Sequence, residues 1–212
     1  MTSSSTTWSA RETKLLDRLD SPEKIQDFLD SIPYNDEVTC RSPRRVMRDR
    51  KSHCMEGALF AAAALAHHGQ PPLLVDLRAV KGQDDDHVIA IYRRDGLLGA
   101  VAKSNFTTLR YRSPVYRSIR ELAMSYFDFY FNLDSILSLQ EVSRPLELTD
   151  RAFPGWRTAE QELDVIGEKL DRMRHEPLAS QSAMKKLKPV SRLMYQAGML
   201  GSNPAGLFKP KK

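Results

Sequence analysis

The chain has 212 residues, of which 41% are hydrophobic and 28% are charged, and its formal net charge is +5. These values are typical of one compact domain and argue against a disordered or fibrous protein. Two cysteines are too few for a disulfide framework. The first residues lack the apolar core of a secretory signal, and the longest apolar run (58–66) is too short to span a bilayer. We therefore expect a cytoplasmic protein without a membrane partner.

The first predicted elements are helices. Residues 21–33, "SPEKIQDFLDSIP", are predicted to form a short helix, with Ser21 as its N-cap and Pro22 at its first position. The same Ser-Pro start recurs at 42–43 and at 113–114. We expect the second of these recurrences to open a long amphipathic helix.

The middle of the chain is predicted to change from helix to sheet. "CMEGALFAAAALAHHG" (54–69) is helical in composition, and Gly69 is a natural end for that helix. Asp95-Gly96 is the strongest hairpin signal in the chain, so the sheet is at least partly antiparallel and the class is α+β. The predicted strands are 72–80, 87–94, 97–104 and, as an optional fourth, 108–112.

The last third of the chain is predicted to be helical and charged. Residues 158–175 carry apolar side chains at helical spacing. We therefore expect two parts, an α+β domain with N-terminal helices over residues 1–150 and a helical extension with a basic tail over residues 151–212.

Cys54 is the residue that most suggests chemistry. It stands at the predicted start of the alanine-rich helix, where the helix dipole lowers the pKa of a thiol. A thiol nucleophile also needs a base, usually a histidine. His53 is adjacent to Cys54, and neighbouring residues on a helix do not face each other, so it is a poor partner. Three other histidines are interpreted as ordinary helix-end residues: His67, His68 and His175.

His87 differs from the other histidines because it opens a predicted strand directly after the acidic turn "DDD" (84–86). A strand in the same sheet could bring its imidazole to the tip of the Cys54 helix. The three aspartates themselves are predicted to form a solvated turn, because consecutive side chains do not converge on one cation without a wrapped loop.

One stretch of the chain resembles a known family. Residues 52–105 resemble the core of the transglutaminase-like superfamily in the order of their elements. This order is "HCMEGALFAAAALAHHGQPP", a strand, "DHVIAIY", "DG" and "LLGAVAKSN". That superfamily shares the papain-like arrangement of Cys, His and Asp or Asn. The resemblance implies a Cys-bearing helix packed on an antiparallel sheet, here with extra flanking helices. It also implies Cys54 as the nucleophile and His87 as the general base and acid.

The third catalytic position departs from the family pattern. Superfamily members usually carry an Asp at the end of the next strand, where this chain has "AKSN". Asn105 could orient the His87 imidazole instead, and Ser104 could do so more weakly. Three cations close in sequence are weak candidates for binding substrate: Lys103, Arg110 and Arg112. No Gln or Trp precedes Cys54 to complete an oxyanion hole, so backbone N–H groups at the helix tip are expected to contribute.

These residues predict a thiol-dependent acyl-transfer enzyme that acts on a peptide or amide bond, with hydrolysis favoured over cross-linking and with no cofactor or metal. The alternative is a non-catalytic module of the same fold. It would bind an acidic partner, protein or nucleic acid, through the basic stretches 41–51 and 185–212. No nucleic-acid-binding motif is present, which argues against nucleic acid as the partner. A third hypothesis is that the resemblance is accidental and Cys54 is a core thiol.

Overall fold

The computed structural model describes residues 7–209. These residues form eight α-helices and one antiparallel sheet of seven strands. The helices are α1 (Ala10–Arg18), α2 (Pro22–Asp30), α3 (Pro43–Asp49), α4 (Cys54–His67), α5 (Ile119–Phe127), α6 (Asp164–Arg172), α7 (Gln181–Met184) and α8 (Arg192–Gly198). The strands are β1 (Leu73–Ala79), β2 (His87–Arg94), β3 (Leu97–Val101), β4 (Arg112–Tyr116), β5 (Leu139–Ser143), β6 (Leu146–Glu147) and β7 (His175–Pro177).

The sheet order is β4-β3-β2-β1-β5-β7, and β6 pairs with β1. Strands β2 and β3 are joined by Asp95 and Gly96, whose φ angles of 53° and 79° fit the turn that matches the twist of a hairpin. The predicted hairpin and the α+β class are therefore confirmed. Because β2 lies between β1 and β3, its first residue, His87, is held by the sheet and is buried.

Helix α4 lies at the centre of the molecule. Residues 58–65 are all buried, as expected for a helix that is apolar all round. It packs on the sheet with one side and on α2 and α3 with the other. Gly57 permits a close approach, because a Cβ there would lie 2.4 Å from the Cβ of Lys103, which follows β3. This packing brings the N-terminal end of α4 close to the end of the sheet where β2 begins.

The Ser-Pro pair at 113–114 does not open a helix, contrary to our prediction. Residues Arg112–Tyr116 form β4 at the edge of the sheet, where a proline is tolerated because one side of the strand needs no hydrogen bonds. Helix α5 starts later, at Ile119, and its N-cap is Ser118. The optional strand at 108–112 does not form: its first two residues belong to a 3-10 turn, Thr107–Leu109, and only Arg112 lies in a strand, β4.

The last third of the described chain is more closely integrated than the sequence suggested. Helix α6 covers only the middle of the predicted 158–175 helix, and β7 follows it and pairs with β5. Trp156, Ile166 and Leu170 belong to the same hydrophobic core as α4. This part of the predicted C-terminal extension therefore shares a hydrophobic core with α4. Within residues 7–209, no helix is long and apolar enough to cross a membrane.

Candidate active site

Cys54 is the first residue of α4 and is partly exposed on the wall of a cavity of about 400 Å³. His53 and His87 line the same cavity, together with Tyr34, Ser104 and other residues. Three separate parts of the chain therefore meet at the thiol: the loop before α3, the start of α4 and the start of β2. Cys54 and His87, which the sequence predicts to act together, therefore line one cavity.

The His87 imidazole is held by a backbone carbonyl. Its Nε2 lies 2.8 Å from the carbonyl oxygen of Leu109, and because that oxygen only accepts, Nε2 carries the hydrogen. Nδ1 is then the ring nitrogen that can accept a hydrogen bond, and the ring is close enough to Cys54 to lower the pKa of the thiol. The ring is 4% exposed, so its orientation is fixed by the fold.

His53 is a second neighbour of the thiol, although its sequence position made it a poor partner. It is the N-cap of α4, with extended backbone angles of φ −94° and ψ −171°, so the rule for neighbours within a helix does not apply. Its Nε2 lies 2.6 Å from the carbonyl oxygen of Thr39, and its ring is close enough to Cys54 to lower the pKa of the thiol. Two imidazoles therefore share the cavity wall with the thiol.

This arrangement favours a thiolate. Burial alone would raise the pKa of Cys54, but hydrogen bonds and positive charge from His53 and His87 outweigh it and lower the pKa to about 6. Burial alone would lower the pKa of His53, but Cys54, Glu56 and the Thr39 carbonyl together raise it to about 9. Between these two values the pair is a thiolate and an imidazolium, the ionic form that reactive cysteines use.

Glu56 holds the loop that carries Thr39. It is fully buried, and Oε1 accepts from the Thr39 hydroxyl at 2.7 Å and from the Arg41 backbone N–H at 3.0 Å. Oε2 accepts from the Asn35 amide at 3.0 Å and from the His53 backbone N–H at 3.1 Å. One carboxylate thus joins the loop over residues 35–41 to the start of α4 and positions the carbonyl that binds His53.

Tyr34 is a site residue that the sequence did not reveal. The backbone N–H of Asn35 donates to the Ser52 carbonyl at 3.1 Å, and this pairing places Tyr34 beside the start of α4. Tyr34 and Cys54 line the same cavity, and the Tyr34 hydroxyl is near enough to the backbone N–H of Cys54 for that group to influence its pKa. Burial and the negative charge of Cys54 raise the pKa of Tyr34, so its hydroxyl keeps its hydrogen and can donate it.

The predicted orienting residues are near the thiol but are engaged elsewhere. Asn105 and Ser104 both line the cavity. The Asn105 amide, however, pairs with the backbone of Asn203, and the Ser104 hydroxyl accepts from the Phe106 N–H at 3.0 Å. The position that we predicted for their side chains is taken by the Leu109 carbonyl, because a backbone carbonyl can accept the Nε2 hydrogen as an amide oxygen does.

The three cations that we considered for substrate binding serve the fold instead. Lys103 is 3% exposed and donates to two carbonyl oxygens, of Leu29 in the last turn of α2 and of Ile32 just after it, and burial lowers its pKa to about 8. Arg110 pairs with Asp30 at 2.8 Å. The guanidinium of Arg112 stacks on the Tyr126 ring at 3.8 Å. None of the three is among the described residues that line the cavity.

The acidic turn is more ordered than a solvated turn. Asp84 accepts from the Ser138 hydroxyl at 2.7 Å, and Asp86 accepts from the Ala79 backbone N–H at 2.8 Å, so their carboxylates diverge. Burial raises the pKa of both groups to about 6. The Asp86 carbonyl oxygen lies 3.8 Å from the Cys54 sulfur, so this turn also forms part of the wall around the thiol.

A second acidic cluster lies behind this turn. Ligand atoms of Asp76, Asp86 and Asp171 lie within 4.8 Å of one another. Two of these aspartates already have side-chain partners. His175 Nε2 lies 2.9 Å from Asp76, and the Arg78 guanidinium lies 3.8 Å from Asp86. These contacts support a structural role for the cluster.

The two cysteines have opposite environments. Cys40 is buried, and the loss of water around it raises its pKa to about 12. Both cysteines are free in the structure. Cys54 is therefore the thiol that a water-soluble reagent can reach in the folded protein.

No family model matches this chain, and a comparison with curated proteins also gives no match.

Proposed function

We propose that the protein is a thiol-dependent acyl-transfer enzyme that acts on a peptide or amide bond, with a core of the transglutaminase-like, papain-like type. The observation that carries this proposal is the position of Cys54, at a helix N-terminus near two imidazoles that lower its pKa to about 6. A buried thiol without such neighbours has a raised pKa, as Cys40 does. The lowered pKa of Cys54 therefore argues against the hypothesis that it is only a core thiol.

In the proposed reaction the Cys54 thiolate attacks the amide carbonyl, and a carbon–sulfur bond forms as the carbonyl oxygen becomes an oxyanion. An imidazolium gives its proton to the leaving nitrogen as the carbon–nitrogen bond breaks, which leaves a thioester and a neutral ring. We assign this acid role to His87, whose Nδ1 takes the thiol proton when the thiolate forms, and we assign to His53 the role of a charged partner that stabilises the thiolate. Neutral His87 then takes a proton from water, water attacks the thioester, and thiolate is released.

The oxyanion needs donors that are already in place. We assign this role to the Cys54 backbone N–H and to the Tyr34 hydroxyl, which are near each other at the start of α4. The tyrosine supplies a donor that the sequence lacks in the segment just before Cys54.

Tyr34→Phe tests this assignment. We expect turnover to fall about 100-fold with little change in the pKa of Cys54, since loss of one oxyanion donor typically costs that much in rate. The measurement is turnover on a cleaved peptide together with the pH titration of the thiol. Unchanged turnover in a folded Tyr34→Phe protein would contradict the role of the hydroxyl.

A direct test of the function uses a mixed library of internally quenched peptides and a simple acyl p-nitrophenyl ester. We expect cleavage of some library members, and we expect the intact mass after reaction with the ester to show one acyl group on Cys54. Both signals should vanish in Cys54→Ala and remain in Cys40→Ala. Absence of any Cys54-dependent cleavage and of acylation would overturn the proposal.

The non-catalytic alternative depends on free basic surface, and residues 41–51 offer little of it. Five of their six basic side chains form ion pairs with acidic residues of the domain: Arg41, Arg44, Arg45, Arg48 and Lys51. The sixth, Arg50, stacks on the Phe28 ring at 4.8 Å. The charge of this stretch is therefore largely neutralised within the domain, so residues 41–51 give the alternative little support.

A further inference from the structure

Residues near the end of the described chain form part of the wall of the thiol cavity. Residues 205–208 line it together with Cys54 and His87. The segment is anchored just before this point, at Asn203, and further back by the Thr107 hydroxyl, which donates to the Leu200 carbonyl at 2.6 Å. One part of the cavity wall is thus made of the protein's own backbone.

The anchor at Asn203 is a two-point backbone contact. Its backbone N–H donates to Asn105 Oδ1 at 2.7 Å, and its carbonyl oxygen accepts from Asn105 Nδ2 at 2.8 Å. This is the pair of groups that one residue of an extended chain offers to a neighbouring strand. In the contact with Asn105 only backbone atoms of Asn203 take part, so this contact would fit one extended residue of any kind. The Asn203 side chain also donates to the Tyr34 carbonyl at 3.4 Å, and the chain then forms a 3-10 helix, Pro204–Gly206.

Asn105 is prepared for this contact. Asn105 is only 4% exposed, so its side-chain amide is held in place by the fold. It also lies on the cavity wall that contains the thiol, the two imidazoles and Tyr34. A peptide bound by Asn105 would therefore lie in the same cavity as Cys54.

Gly206 shows how closely the segment fits. A Cβ at this position would lie 2.8 Å from Cδ1 of the Tyr34 ring and 3.4 Å from Asn105 Nδ2. The backbone at 206 therefore passes against two residues of the site, and any side chain there would push the segment away from them.

We propose that the site occupied by residues 203–208 is a binding subsite for a peptide, that Asn105 binds the backbone of one extended residue of that peptide, and that the segment 203–208 is a tethered occupant of this subsite. The inference deepens the proposed function and rests on it only for the step from bound peptide to cleaved peptide. It narrows the substrate class from amides in general to peptides that present one extended residue to Asn105.

Displacement of the segment is tested with Gly206→Val and a bulky maleimide at pH 7. We expect the rate of Cys54 labelling to rise about tenfold, because the overlap with Tyr34 raises the fraction of molecules in which the segment is open. Ala197→Val is the matched control, because it also introduces a valine, here at an exposed position of α8. It should leave the labelling rate unchanged. Labelling in Cys54→Ser is subtracted as background. An unchanged rate in a folded Gly206→Val protein would overturn the proposal.

Recognition of the backbone is tested by competition in the same variant. A synthetic peptide that copies residues 201–208, acetylated and amidated at its ends, should protect Cys54 from the maleimide. The same peptide methylated on the nitrogen that corresponds to Asn203 lacks the donated N–H and should protect at least several-fold less. Protection should also be lost when Asn105→Ala is combined with Gly206→Val. No protection, or equal protection by the methylated peptide, would contradict the role of Asn105.

These outcomes are separable from failure of the proposed function. Labelling and protection report access to Cys54 and do not require turnover. Protection without any Cys54-dependent cleavage would retain the peptide subsite and reject the enzyme, whereas cleavage without protection would retain the enzyme and reject the subsite.

Discussion

Replacement of both His53 and His87 by Ala is expected to move the ionisation midpoint of Cys54 from about 6 to about 8.5 or above. The two imidazoles supply the hydrogen bonds and positive charge that lower this pKa, and burial, which remains, acts in the opposite direction. Each single variant should give an intermediate midpoint. The midpoint is best followed by the ultraviolet absorbance of the thiolate. The rate of alkylation is a poorer measure, because the nucleophilicity of a thiolate falls as its pKa falls.

The matched control is His67→Ala, which removes a histidine from the far end of the same helix. Its midpoint should equal that of the unmodified protein. A double variant that is folded and still titrates near the original midpoint would show that the helix N-terminus alone holds the thiolate, and the two-imidazole account would then be wrong.

Replacement of Glu56 by Ala is expected to cost about 3–5 kcal/mol of unfolding free energy, because it strips a buried carboxylate from a network of buried donors. Arg41 is the most affected donor, since its side chain is only 6% exposed and its NH1 lies 3.4 Å from Glu56 Oε1. The measurement is urea unfolding of the two proteins. The loss of order around Thr39 should also lower the pKa of His53, because both Glu56 and the Thr39 carbonyl raise it.

Glu37→Ala is the control for this variant. Glu37 also pairs with Arg41, but its side chain is 51% exposed, so its loss should cost less than about 1 kcal/mol. Equal losses in the two variants would contradict the view that Glu56 is the buried centre of this loop.

The sequence was a good guide to the central elements of the fold. Strand β2, His87–Arg94, was predicted with both ends correct, since a polar turn precedes it and Asp95-Gly96 follows it. Helix α4 was predicted from its alanine-rich composition and from Gly69, whose φ of 82° suits a helix end. The short strands β5, β6 and β7 were missed because two to five residues carry too little periodic pattern to be separated from loops.

The site was only partly predictable. His53 did leave a signal, because a residue before the helix with Glu56 three positions into it is the spacing of an N-cap and its N3 acid. Read in that way, the sequence would have placed His53 outside the helix and beside the thiol. Tyr34 and the Leu109 carbonyl left no such signal, since the first depends on pairing with Ser52 and the second is a backbone group.

Asn105 illustrates a different limit. Its position after β3 correctly placed it at the cavity, but its partner is Asn203, which is 98 residues away in sequence. Contacts of this separation depend on how the whole chain folds back, and local pattern does not encode them. The same residue is therefore assigned to peptide binding rather than to the orientation of His87.

The most direct test of the account is the pH titration of Cys54 in the unmodified protein, taken as the absorbance difference from Cys54→Ser so that Cys40 and the tyrosines cancel. The thiol should be protonated below its pKa and ionised above it, with a midpoint near 6. Since the pKa of His53 is raised to about 9, the ionic pair should persist from about 6 to about 9 and be lost on either side. A midpoint at the ordinary thiol value of about 8.5, or higher, would contradict the account.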